Sequence, residues 1–72
     1  MNEFILVKFD EIREVVIDSV PSGYNTGEVI GLDPGTHTIS LAGPKDFVPT
    51  EQEINPSGTS PIQFLTVKFS KV

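Results

Sequence analysis

Seventy-two residues leave room for one domain with a thin core, because so short a chain buries only about 60% of the surface it exposes when unfolded. Ten Asp and Glu against five Lys and Arg give a net charge of −5, which repels a phosphate backbone and argues against nucleic-acid binding. With no cysteine there is no disulfide, thiolate metal site or cysteine nucleophile, and no apolar run reaches the roughly 20 residues that span a bilayer.

Six Gly and six Pro point to many short elements joined by turns. The first is a strand over Phe4 to Phe9, with Ile5, Val7 and Phe9 on one face and Phe4, Leu6 and Lys8 on the other. Asp10 to Val16 is the one helix candidate, with Asp10 as its cap. Seven residues are too few for a stable isolated helix, and Val15-Val16-Ile17 is β-branched throughout. Asp10 to Arg13 therefore reads as a turn holding up to one helical turn. Glu14 to Asp18 is the second strand, with Val15 and Ile17 opposite Val16. Pro21-Ser22-Gly23 and Asn25-Thr26-Gly27 form a long loop around Tyr24.

Glu28 to Leu32 is the third strand. The turn Asp33-Pro34-Gly35-Thr36 has the type II signature, Pro presetting φ near −65° and Gly taking positive φ, and is expected to join strands three and four as a hairpin. The fourth strand, Thr36 to Ala42, alternates His37, Ile39 and Leu41 with Thr36, Thr38 and Ser40. One apolar and one hydroxyl-rich face is the pattern of an antiparallel sheet buried on one side. After loops at Gly43-Pro44-Lys45-Asp46 and Phe47-Val48-Pro49 comes a weaker strand, Thr50 to Ile54. Asn55-Pro56-Ser57-Gly58 leads to the last, Ile62 to Phe69.

These elements predict an all-β fold, a small antiparallel two-layer β-sandwich of six to seven strands formed by residues 1–72 as a single domain. Val7-Lys8-Phe9 recurs as Val67-Lys68-Phe69. Nothing around it repeats, so it does not read as a structural repeat; Lys on both terminal strands suits exposed sheet edges, although either strand could equally pair inside a sheet.

From Val15 to Val72 the order of features resembles the PEGA-type domain, a small bacterial β-sandwich module. The residues that carry the likeness are Val16-Ile17-Asp18, Thr26-Gly27, Ile30, Leu32 and the run Pro34-Gly35-Thr36-His37-Thr38-Ile39-Ser40-Leu41. Phe47-Val48-Pro49 and a last strand with Leu65, Val67 and Phe69 continue it. The Pro-Glu-Gly-Ala tetrapeptide is absent, Asp10-Glu11-Ile12-Arg13 standing in its place, and Ser19 stands where Gly is usual. The resemblance implies a non-catalytic accessory module, found in cell-surface, envelope or multidomain proteins, with no shared binding residues. The residues themselves leave the compartment open: Met1-Asn2-Glu3 lacks the basic start of a signal peptide.

His37, the only histidine, falls on the Ile39 and Leu41 face and reads as a packed ring with one nitrogen on a backbone carbonyl, with no second group in view for acid–base chemistry. Asp33 and Asp18 read as turn carboxylates that accept nearby backbone N–H groups. Asp10, Glu11, Glu14, Glu51 and Glu53 show neither calcium-loop spacing nor a glycosidase pair, and read as solvated. Ser19, Ser22, Ser57 and Ser60 lie in turns outside any nucleophile elbow. No catalytic, cofactor or metal residue is expected. The loop aromatics Tyr24 and Phe47 are the candidate partner contacts, although Phe47 reads first as a cap on one end of the core and only second as an exposed contact. The expected function is a structural or protein-interaction module, binding itself or other domains and able to do so by strand addition. The alternative is a small carbohydrate-binding module that uses the loop aromatics.

Overall fold

A strand that is apolar on both faces belongs inside a sheet, and Glu3 to Lys8 is such a strand. The computed structural model describes residues 2–72. It places β1 (Glu3–Lys8) between β4 (Val29–Leu32), antiparallel to it, and β8 (Leu65–Lys68), parallel to it. A second sheet has the order β3 (Val20–Asn25), β2 (Glu14–Ile17), β5 (His37–Leu41), β7 (Gln52–Ile54), antiparallel throughout. A third pair, β6 (Phe47–Val48) with β9 (Ser70–Lys71), is antiparallel too. Among the described residues there is no helix, and Asp10 to Arg13 contains no helical turn.

Alternation delivers the core. The three-stranded sheet buries Ile5, Val7, Ile30, Leu32 and Val67, and the four-stranded sheet buries Val15, Ile39 and Leu41 against them. Phe47 and Phe69 join the same cluster, Phe47 meeting Phe9 and Phe69 edge-on at centroid distances of 5.9 and 5.6 Å. Burying each such side chain contributes about 1.5–3 kcal/mol. The buried Glu3 is tied down through one carboxylate oxygen: its Oε1 accepts from Thr59 N–H at 3.0 Å and Thr59 O–H at 2.6 Å. Those two bonds, the hydroxyl first, hold its pKa below the ordinary value.

The Pro34-Gly35 turn does not make a hairpin. It joins β4 to β5, which lie in different sheets, and no backbone hydrogen bond closes it. The physical reason is burial. Ile30 and Leu32 on one side, and Ile39 and Leu41 on the other, face one core from opposite layers, and residues 33–36 cross the roughly 10 Å between packed sheets. Gly35 does take positive φ, at 116°. The tight hairpin lies earlier. Asp18 and Ser19, at φ 52° and 66°, link β2 to β3 with Ile17 opposite Val20, the double positive φ of a type I′ turn. β3 was expected to be loop. It is an edge strand with almost every side chain exposed, so no buried face marks it in the sequence.

The recurring Val-Lys-Phe is a register match. In the parallel pair Val7 lies beside Val67 and Lys8 beside Lys68, and Phe69 N–H donates to the Lys8 carbonyl at 2.9 Å. Only β8 is an edge; β1 is central. The last strand is also shorter than expected. Pro61 and Ile62 form the tip of a turn bridged by Ser60 and Gln63, where the Ser60 hydroxyl accepts the N–H groups of Ile62 and Gln63, and Ile62 is 87% exposed.

Candidate functional site

No cavity or cleft is present among the described residues, and no three described His, Cys, Asp or Glu side chains converge as a metal site would need. The polar side chains that do converge form two clusters. At one end, His37 Nδ1 meets Asp18 Oδ2 at 2.7 Å and Nε2 meets the Asp33 carbonyl at 2.6 Å. Asp18 Oδ1 accepts the Thr38 N–H at 2.9 Å. The carbonyl contact expected for the ring is there, and at Asp33 it is the carbonyl, not the carboxylate, that is used. The Asp18 partner is 19 residues away along the chain, beyond the reach of local turn patterns.

Arg13 is the hub of the second cluster. Nη2 donates to Glu11 Oε1 at 2.6 Å and to both Asp46 oxygens at 3.0 Å, and Nη1 donates to the Pro44 carbonyl at 3.2 Å. The guanidinium carbon also lies 5.4 Å from the Phe9 ring centroid, a cation–π distance. Lys71 Nζ adds a contact to Glu11 Oε2 at 2.7 Å. Burial works to lower the Arg13 pKa, and the bonds to Glu11 and Asp46 outweigh it and raise it. Lys71, then Arg13, hold the Glu11 carboxyl below its usual range. Every group here is answered by another, so the cluster staples the β1–β2 link, the β5–β6 loop and β9 together.

The remaining candidates are spread apart. Glu14 Oε2 accepts the Gly23 N–H at 3.1 Å, and Ser22 Oγ donates to the Val15 carbonyl at 2.6 Å; both support the β2–β3 pair. Glu51 and Glu53 are exposed. Tyr24 is 45% exposed on the edge strand β3 and pairs with no other aromatic ring among the described residues. Phe47 is 1% exposed. Its ring belongs to the core, which takes it out of reach of a partner and leaves Tyr24 as the loop-aromatic candidate at the surface.

A surface that the sequence reading did not single out is the outer face of the β4–β1–β8 sheet. Register sets Phe4 beside Gly31, Leu6 between Val29 and Thr66, and Lys8 beside Lys68. The strip runs from part-buried Phe4 and Leu6, past Val29 at 39% exposure, to two exposed lysines. Neither lysine forms an ion pair with a described residue. Like charges side by side in a sheet are destabilising, so this pair is held with no anion of its own in a chain of net charge −5. The opposite outer face is mixed, with Val16 between Pro21 and Ser40, and Thr38 beside Glu53. The signal that would have found the strip was the repeated Val-Lys-Phe combined with the apolar outer positions Phe4 and Leu6.

The sheet edges also differ. β3 carries Pro21, which has no N–H to offer, and Gly23 at φ 81°. On β8 the Gln52 amide occupies the Lys68 carbonyl at 2.6 Å. β7 has three residues. β4 is short too, with four residues, but no hydrogen bond from a described residue falls on its outer edge at Val29 and Gly31. No family model, no curated protein and no solved structure matches this chain.

Proposed function

We propose that this chain is a non-catalytic protein-interaction module that receives a partner on the outer face of the β4–β1–β8 sheet. The single observation that carries the reading is the strip of Phe4, Leu6 and Val29 ending in Lys8 and Lys68, neither of which forms an ion pair with a described residue. Apolar area supplies the attraction and the two cations supply complementarity. The partner is a protein surface or extended segment that presents apolar side chains followed by carboxylates. An extended segment can also lie along the open edge of β4 and extend the sheet, a mode in which backbone bonds give affinity and side-chain pockets give specificity. An accessory module of this kind is what the resemblance to PEGA-type domains implies.

Peptide-display selection against the folded chain, followed by NMR mapping of the selected peptide, tests the reading. Acid-containing apolar peptides are expected, with shifts concentrated at Leu6, Lys8, Val29, Thr66 and Lys68 and with binding lost in the double variant Lys8→Glu, Lys68→Glu. No selectable peptide, or shifts centred on Tyr24 and β3, would overturn it. Saturable binding on a glycan array that is lost on Tyr24→Ala would favour the carbohydrate alternative. Concentration-dependent self-association abolished by the same double variant would identify the partner as a second copy.

A further inference from the structure

His37 stands between two oxygens that accept and do not donate. Nδ1 faces Asp18 Oδ2 at 2.7 Å and Nε2 faces the Asp33 carbonyl at 2.6 Å. A neutral imidazole has one N–H and one lone pair, so one of these short contacts would set a lone pair against an oxygen. Only an extra proton on the pair satisfies both. A protonated Asp18 would also supply it, but Asp18 Oδ1 accepts the Thr38 N–H at 2.9 Å, a bond that favours the carboxylate. The proton therefore belongs on the ring, which is an imidazolium.

The contacts join three parts of the chain. Asp18 is in the β2–β3 turn, where its own N–H also donates to the Thr38 carbonyl at 2.8 Å. His37 opens β5, and Asp33 begins the crossover between sheets. Residues 33–36 are all exposed and no backbone hydrogen bond closes their turn. The His37 bond to Asp33 is the one side-chain hydrogen bond to the crossover among the described residues. We propose that Asp18, His37 and Asp33 form a protonation-dependent latch, in which the imidazolium ties the β2–β3 turn to the crossover; on losing the Nε2 proton the ring keeps its one N–H, at Nδ1, on the charged Asp18 acceptor and frees the Asp33 carbonyl and the crossover.

The charged groups that face the ring are Asp18 from the β2–β3 turn and Asp33 from the crossover. β7 sets Ile54 opposite it, and Glu53, opposite Thr38, is on the other face. Both facing charges are negative and favour the cation. In keeping with this, the bond to Asp18, then that to the Asp33 carbonyl, raise the His37 pKa above 6.5 against the opposing effect of burial. A raised folded-state value means that the latch is complete at low pH, below the unfolded pKa, and is lost as pH rises through the folded value.

Because His37 is the only histidine, its ring titrates without ambiguity by nitrogen-15 and proton NMR. The folded chain and the chain in denaturing urea are compared between about pH 5 and 8, and nitrogen-15 relaxation order parameters of Gly35 and Thr36 report how far the crossover is held. A higher midpoint in the folded chain, two protonated ring nitrogens below it, and order parameters that fall as the ring deprotonates are the expected results. Asp18→Asn should bring the folded midpoint down toward the urea value, and His37→Gln should make the order parameters independent of pH. A folded midpoint at or below that in urea, or order parameters that ignore the ring's titration, overturns the proposal. Those two measurements on the unaltered chain decide it even where Asp18→Asn does not fold.

Discussion

Phe47 separates a core residue from a surface contact, and its replacement puts a number on the difference. The ring is 1% exposed and meets Phe9 and Phe69 edge-on at 5.9 and 5.6 Å. Truncating a buried Phe to Ala costs about 3–5 kcal/mol. At about 0.05–0.15 kcal/mol per residue, a chain of 72 residues has a total stability of about 4–11 kcal/mol. Phe47→Ala therefore removes a large share of the total and can unfold the chain outright. Phe47→Leu keeps most of the apolar area and removes the two edge-on ring contacts, each worth about 0.5–1.5 kcal/mol, for a loss of about 1–3 kcal/mol. With a urea m-value near the small-protein lower limit of about 1 kcal/mol/M, the Leu variant should unfold about 1–3 M earlier when followed by circular dichroism. A surface Phe would change stability by less than about 0.5 kcal/mol. Midpoints within about 0.5 M of the parent for both variants would refute the placement of Phe47, and with it the closure of this end of the sandwich by β6 and β9.

Three further outcomes are expected. Ser19 occupies φ 66° in the β2–β3 turn, where a side chain costs about 1–2 kcal/mol and Gly does not. Ser19→Gly should raise the urea midpoint, and a drop would show that the turn is not type I′. Gly35→Val places a β-branched residue at φ 116° with no neighbour within 4 Å of the new Cβ, so strain alone should cost about 1–3 kcal/mol; an unchanged midpoint would place the crossover in another conformation. Four carboxyls titrate below their usual values: Glu3 through Thr59, Glu11 through Lys71 and then Arg13, and Asp18 through the Thr38 N–H and then His37. The fourth is Asp46, where burial raises the pKa and the Arg13 bond prevails in lowering it. Folded values below the unfolded ones mean stability that is present above about pH 4.5 and lost as pH falls through the folded values. Urea midpoints should fall steadily on acidification below that point, and midpoints that climb instead would count against these bonds.

Strand identity was readable wherever a strand has a buried side. His37 to Leu41 alternates because Ile39 and Leu41 face the core, and Ile5 with Val7, and Ile30 with Leu32, declare themselves in the same way. β3 escaped because an edge strand with solvated side chains has no period-two signal, and Phe47, read first as a core cap, kept a surface alternative because a two-residue strand is too short for one. At Pro34-Gly35 the residues specified the positive φ but not the destination of the chain. A turn's chemistry is local, whereas membership of one sheet or the other depends on which strands pair.

The amino-acid sequence by itself determined an all-β chain, its inward positions and its excess of negative charge, because each follows from composition or from a period of two. Tertiary structure alone decided what those elements bring together. It set Lys8 beside Lys68, sixty residues along, and Asp18 against His37, pairings that arise only when β1 and β8, and the β2–β3 turn and β5, are packed as neighbours. The two juxtapositions on which the proposals rest, Lys8 beside Lys68 at the end of an apolar sheet face and Asp18 against His37, are both of this non-local kind.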